Sequence, residues 1–84
     1  MFLHLGGEFS VRLADIISIH DYDAMKKTKE GKEFLSKRIK TLTDLSGGRP
    51  KSAVVTDGRI YLSVLSPGTL KRRAERGFSL ETEV

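Results

Sequence analysis

Cysteine is absent from the 84 residues, so neither a disulfide nor a thiolate zinc site can hold this chain together. Tryptophan is absent too, and of the six aromatics only Tyr22 and Tyr61 read as rings free to stack on bases. With two prolines and no sustained heptad, collagen, long disorder and coiled coil are excluded. No run approaches the ~18–20 apolar residues that span a bilayer. The opening stretch Met1–Glu8 has neither the basic n-region nor the apolar h-region of a signal peptide, which with the missing cysteine points to the cytosol. Acidic residues are the minority, 11 against 15 basic, for a net charge of +4. That surplus raises nucleic acid as a partner.

A chain of this length forms one domain over residues 1–84 and buries roughly 60–65% of its unfolded surface. The core is thin, so idealised packing or self-association must supplement it. Charge is unevenly spread: residues 1–25 carry −3, 26–48 carry +4, 49–76 carry +5 and 77–84 carry −2. The basic character thus belongs to the middle and the C-terminal third.

Phe2–Leu5 reads as a short strand, Gly6-Gly7 as a tight turn, and Phe9–Leu13 as an alternating, half-buried strand. Ile16–Tyr22 is β-branched enough for a third strand. Over residues 29–42 the spacing predicts an amphipathic helix, with Phe34, Leu35, Ile39 and Leu42 inside an arc of about 140° and Thr28 placed to cap it. Leu45–Pro50 reads as a loop. Asp57-Gly58 between two alternating runs, Ser52–Thr56 and Arg59–Leu65, is the signal of a type I′ hairpin. Ser66-Pro67 looks like the N-cap and first residue of a last helix, with Gly77 as its C-terminal stop and 77–84 as a loosely ordered tail. The expected fold is α+β, a small antiparallel sheet with two helices in the order βββ-α-ββ-α.

Enzyme chemistry finds little support. His4 reads as a partly buried or interface residue rather than a base, and nothing assembles a nucleophile, a base and an orienting group. Asp21 and Asp23, beside His20, share one side of an extended chain, but two carboxylates without a third ligand make a poor metal cage. Gly47-Gly48-Arg49-Pro50-Lys51 lacks the Gly-Lys-Ser/Thr ending of a phosphate loop and opens a strand, not a helix. No catalytic residue, metal or cofactor is therefore expected.

Two basic elements could grip phosphate. Arg49 and Lys51 stand in the glycine-flanked loop before the hairpin, and arginine's planar fork suits phosphate. In the last helix Leu70 and Ala74 face inward, while Arg72, Arg73 and Arg76 span ~100° of the opposite side. Zinc-finger, basic-zipper and RNA-recognition signatures are missing. The residues by themselves support a binder of the nucleic-acid backbone. Two rival readings stay open, an oligomeric adaptor that holds a protein partner and an RNA binder.

Pro50–Thr56, Ile60–Ser63 and Thr69–Ala74, with Phe2–Gly6 and Asp15–Ile19, give the chain a resemblance to the RemA/RemB family of small bacterial regulators of extracellular-matrix (biofilm) genes. The resemblance implies a DNA-binding transcriptional regulator of LytTR-like fold, assembled as a ring that meets double-stranded DNA along a basic surface. The family's basic Gly-Arg loop falls on Gly48-Arg49, which gives Arg49 the DNA-contacting role. Asp15 stands on or near a basic family position, and Pro50 follows Arg49, two departures from the pattern. An excess of apolar residues such as Phe2, Leu3, Ile17 and Phe78 over what so small a sheet can cover also points to burial between copies.

Overall fold

A computed structural model describes residues 1–82, with side chains for residues 1–76. The chain opens with an antiparallel hairpin, β1 (Phe2–Gly6) and β2 (Phe9–Arg12), whose turn uses positive φ at Gly6 and Gly7. Alternation sends Leu3, Leu5 and Val11 inward and leaves Phe2, His4 and Ser10 exposed. A single 3₁₀ turn, Leu13–Asp15, follows, braced by two 3.0 Å bonds from the Arg12 guanidinium to the Asp15 carboxylate. That hydrogen-bonded arginine holds the Asp15 carboxyl below its ordinary range.

Strand β3 spans Ile16–Asp21, and there the first departure from expectation appears. Tyr22 does not extend the strand; it begins α1 (Tyr22–Lys27), because Asp21 is an N-cap whose carboxylate accepts from the Ala24 amide at 2.9 Å. A cap outweighs the β preference of one tyrosine. Thr28, fully extended, ends α1 and caps α2 (Lys29–Lys37), accepting from the Gly31 amide at 2.9 Å as its sequence position suggests.

The helix expected over 29–42 stops at Lys37. A 3₁₀ turn, Ile39–Thr41, leads into β4 (Leu42–Asp44), which the periodicity concealed. Leu42 does pack inward, but from a strand beside Ile60, and Ile39 is left 65% exposed. The β-branched Thr41 and Thr43 favour this extended ending.

Strands β5 (Ser52–Thr56) and β6 (Arg59–Ser63) form the hairpin that Asp57-Gly58 predicts, with Gly58 at φ 86°. The second sheet runs in the order β3-β5-β6-β4, antiparallel except for the parallel pair β4–β6. Its last connection, from Ser66, enters α3 (Pro67–Thr82). The Ser66 hydroxyl accepts from the Thr69 amide at 3.2 Å, the cap expected there. Gly77 does not stop the helix, which continues to Thr82. Glycine inside a helix costs about 1 kcal/mol but imposes no break unless the backbone turns left-handed. The loose tail expected over 77–84 falls outside the described side chains.

The described residues form a mixed α/β domain of two sheets and three helices. On one face of the four-stranded sheet the first hairpin and α3 bury Leu3, Leu5, Val11, Leu13, Val54 and Leu70. On the other, α1 and α2 cover Ala53, Ile60 and Leu62 with Tyr22, Met25, Phe34 and Leu35. Leu3, expected among the excess apolar residues, belongs to the core at 3% exposure, whereas Phe2 and Ile17 stand 65% and 68% exposed. Phe78 lies outside the described side chains. His4 is exposed rather than partly buried, its ring bonded to the Gly7 carbonyl.

Two substitutions test this packing. Leu70→Ala empties a fully buried position and should cost about 2–5 kcal/mol in denaturant unfolding. Gly31→Ala would ordinarily stabilise a helix by up to ~1 kcal/mol, but a Cβ on Gly31 collides with the Met25 carbonyl of α1. Its effect should therefore be destabilising, and a raised melting temperature would show that the α1–α2 corner is not built this way.

Candidate nucleic-acid interface

Residues 45–51 link β4 to β5, and both ends of this loop are tied to β6. At the near end the Leu45 amide donates to the Leu62 carbonyl at 2.8 Å. At the far end the Lys51 amide donates to the Ser63 carbonyl at 2.8 Å, and the Lys51 carbonyl accepts from the Tyr22 amide at 3.1 Å. Between them Gly47 and Gly48 take φ values of 70° and 90°, a path open to glycine and strained for other residues.

Asp44 gathers this path. One of its oxygens accepts from the Ser46 amide at 2.8 Å and from the Ser46 hydroxyl; the other accepts from the Gly48 amide at 3.1 Å. The Ser46 hydroxyl oxygen in turn accepts from the Arg49 amide at 3.1 Å. The Ser46 hydroxyl, then its amide, hold the Asp44 carboxyl below the usual carboxylate range, helped by the Gly48 amide and slightly opposed by burial. The amides of Ser46 and Gly48 are thereby occupied, so the loop offers an outside anion its side chains rather than a nest of N–H groups. Those side chains are Arg49 and Lys51, both exposed, around a half-buried Pro50.

The expected helical arginines are where the wheel placed them. Leu70 is buried and Ala74 half-buried, while Arg72, Arg73 and Arg76 are exposed on α3. They begin about 9 Å along the helix axis from Ser66 and end about 15 Å along it, at 1.5 Å per residue. The fold thus joins Arg49 and Lys51 in one loop, and sets the three arginines apart along the helix itself.

Other cations have internal employment. Arg12 is paired with Asp15, the Arg38 guanidinium lies 4.0 Å from the centre of the Phe34 ring, and Arg59 donates to the Thr43 hydroxyl at 3.1 Å. Among the described residues Arg12–Asp15 is the one ion pair, and the loop and helix cations of the candidate surfaces form none. Asp21 serves as a helix cap, and no group of three His, Cys, Asp or Glu that could hold a metal occurs among the described residues.

Sequence reasoning singled out Arg49 and missed Asp44. The signal was present, because an aspartate two residues before a serine, with Gly-Gly following, is the pattern of an Asx turn.

A pH titration checks the Asp44 geometry. A carboxyl whose folded pKa is depressed contributes stability that is fully present above its ordinary value near ~3.9 and lost as the pH falls through the lower folded value. The amide resonances of Ser46 and Gly48 should accordingly titrate with a midpoint below that ordinary value. A midpoint at or above it would mean that the bonds to Asp44 are not made in solution.

Known proteins supply the remaining finding. A family model described as extracellular matrix regulatory protein A-like matches residues 2–74, a span holding every strand and the first half of α3. Extracellular matrix regulatory protein B of Bacillus subtilis (strain 168) is 42% identical over 83 residues, 98% of this chain and the whole of that relative. The hairpin, the Gly-Gly-Arg loop and the basic helix therefore belong to a member of the RemA-like family of extracellular matrix regulatory proteins.

Proposed function

We propose that this chain is a non-enzymatic cytoplasmic regulator of extracellular-matrix (biofilm) genes that binds double-stranded DNA as a homo-oligomer. Family membership and the relative's name support the regulatory part. The observation that carries the DNA part is the placement of Arg49. Its loop is held between two anchors on β6, and its side chain is exposed, with no acidic partner among the described residues. A preorganised arginine loses little conformational freedom on meeting a phosphate, and its fork matches that group bidentately. Lys51 adds a second charge two residues on. Arg72, Arg73 and Arg76 form a second basic surface along α3.

Contacts of this kind position a protein on the duplex without reading its sequence. One small domain offers too few of them for tight binding at cellular salt, which is where self-association matters, because copies on one duplex multiply each other's grip. The exposed apolar residues Phe2 and Ile17 support such an assembly. Ile17 sits where the β3 register shifts, on an edge strand of the sheet, a place where another copy could cover it.

Two experiments test the proposal. In fluorescence anisotropy with labelled duplex, Arg49→Ala should weaken binding to specific and random DNA alike and flatten the salt slope by ~0.9 for each phosphate no longer neutralised. If instead the combined change of Arg72, Arg73 and Arg76 to Ala abolishes binding while Arg49→Ala changes nothing, the helix is the DNA surface. In native mass measurement and sedimentation at micromolar concentration, the wild-type chain should be oligomeric. Phe2→Ser combined with Ile17→Ser should give folded monomers, since both side chains are largely exposed within one copy. A monomeric wild-type protein would remove the multivalent argument, and with it the homo-oligomeric part of the proposal.

A further inference from the structure

The carboxylate nearest the loop in sequence has the wrong charge for a DNA surface. Asp44 is exposed, stands five residues before Arg49, and would repel the same phosphate that Arg49 attracts. Electrostatics alone therefore treats it as a defect. The hydrogen bonds say otherwise.

Both Asp44 oxygens are occupied by the loop that carries Arg49. Oδ1 takes the Ser46 amide and hydroxyl, and Oδ2 takes the Gly48 amide. The Ser46 hydroxyl oxygen then accepts from the Arg49 amide, so a continuous chain runs from carboxylate to hydroxyl to arginine backbone. The segment so held contains two successive glycines at positive φ, each with open space where a side chain would be. No side chain of their own anchors Gly47 and Gly48 in that conformation, and glycine has the widest choice of alternatives. The polar knot is what selects one.

Resting on the DNA-binding reading above, we infer that Asp44 is a positioning residue for Arg49, acting through Ser46, and that its hydrogen bonds aid DNA binding more than its charge opposes it. The two effects have opposite signs on substitution. Asp44→Asn keeps size and shape, removes the charge and leaves a single acceptor oxygen, since an amide NH₂ cannot accept from the Gly48 amide or from Ser46. Charge removal near phosphate should tighten binding roughly twofold. Loss of either the Gly48 bond or the Ser46 pair, whichever the single oxygen gives up, should weaken it about three- to tenfold. The sign of the measured change decides.

The experiment compares wild type, Asp44→Asn, Ser46→Ala, Arg49→Ala and the double variant Asp44→Asn/Arg49→Ala, all as full chains. Anisotropy on one labelled duplex is measured at several salt concentrations, with circular dichroism and native mass as checks of folding. Asp44→Asn and Ser46→Ala should each weaken binding, and Asp44→Asn should add no further loss once Arg49 is alanine. Binding as tight as wild type or tighter in Asp44→Asn, or an equal loss with and without Arg49, overturns the inference. Ser46→Ala carries the same test by the same criteria if Asp44→Asn does not fold. A readout without DNA separates this inference from the reading beneath it. In the free protein, ¹⁵N relaxation should show the Arg49 amide more mobile in Asp44→Asn than in wild type. If Arg49→Ala has no effect on DNA binding, the DNA reading of this loop fails; if the Arg49 amide is equally rigid in both proteins, the positioning role fails.

Discussion

A single buried serine holds together the parts of this domain that matter for its site. Ser63, at the end of β6 and fully buried, donates its hydroxyl to the Leu5 carbonyl of the first hairpin and accepts from the Leu65 amide where the chain turns toward α3. Its carbonyl receives the Lys51 amide. Hairpin, helix root and basic loop thus converge on one residue. Each of these backbone groups would be costly to bury without a partner, about 1–3 kcal/mol apiece. The hydrophobic core determines that the layers stack, whereas Ser63 determines how they are aligned. An alanine there would leave apolar contacts largely intact and orphan two backbone groups.

Much of this architecture is legible in residue order. Asp57-Gly58 between alternating runs specifies the β5–β6 hairpin, and Ser66-Pro67 specifies where α3 begins. Thr28 announces the start of α2. These are local signals, decided by capping and turn chemistry within a few residues. What escaped was decided at a distance. Leu42 satisfies a helical period and a strand equally well, and the choice falls to β4 because β6, on the far side of β5 in the chain, offers a parallel partner. From the sequence Asp21 is weighed only as a metal ligand, and the turn of the backbone after it makes it the cap of α1 instead.

The same division runs through the candidate site. Arg49 is visible in the sequence because arginine between glycine and proline on a basic segment is unusual, and its chemistry does not depend on where neighbours lie. Asp44 is not, because its role lies in which amides turn toward it. Charge counting also misjudges the surface. Arg12, Arg38 and Arg59 raise the net charge as much as Arg49 does, yet each is engaged by a carboxylate, a ring or a hydroxyl of its own domain. A basic composition is therefore a poor guide to a basic face until the engaged side chains are set aside.

The parallel pairing of β4 with β6 has a geometric consequence for the loop between β4 and β5. Those two strands flank β6 on either side, so the chain leaving β4 must arch over the end of β6 to reach β5. Two inter-strand spacings amount to about 10 Å, whereas seven residues can reach about 23 Å. More than half of that reach is slack. The excess is coiled up around Asp44 instead of hanging into solvent, and the arch stays low over the sheet. A linker far longer than its span thereby behaves as a stiff bracket, with its one arginine carried at the outer edge.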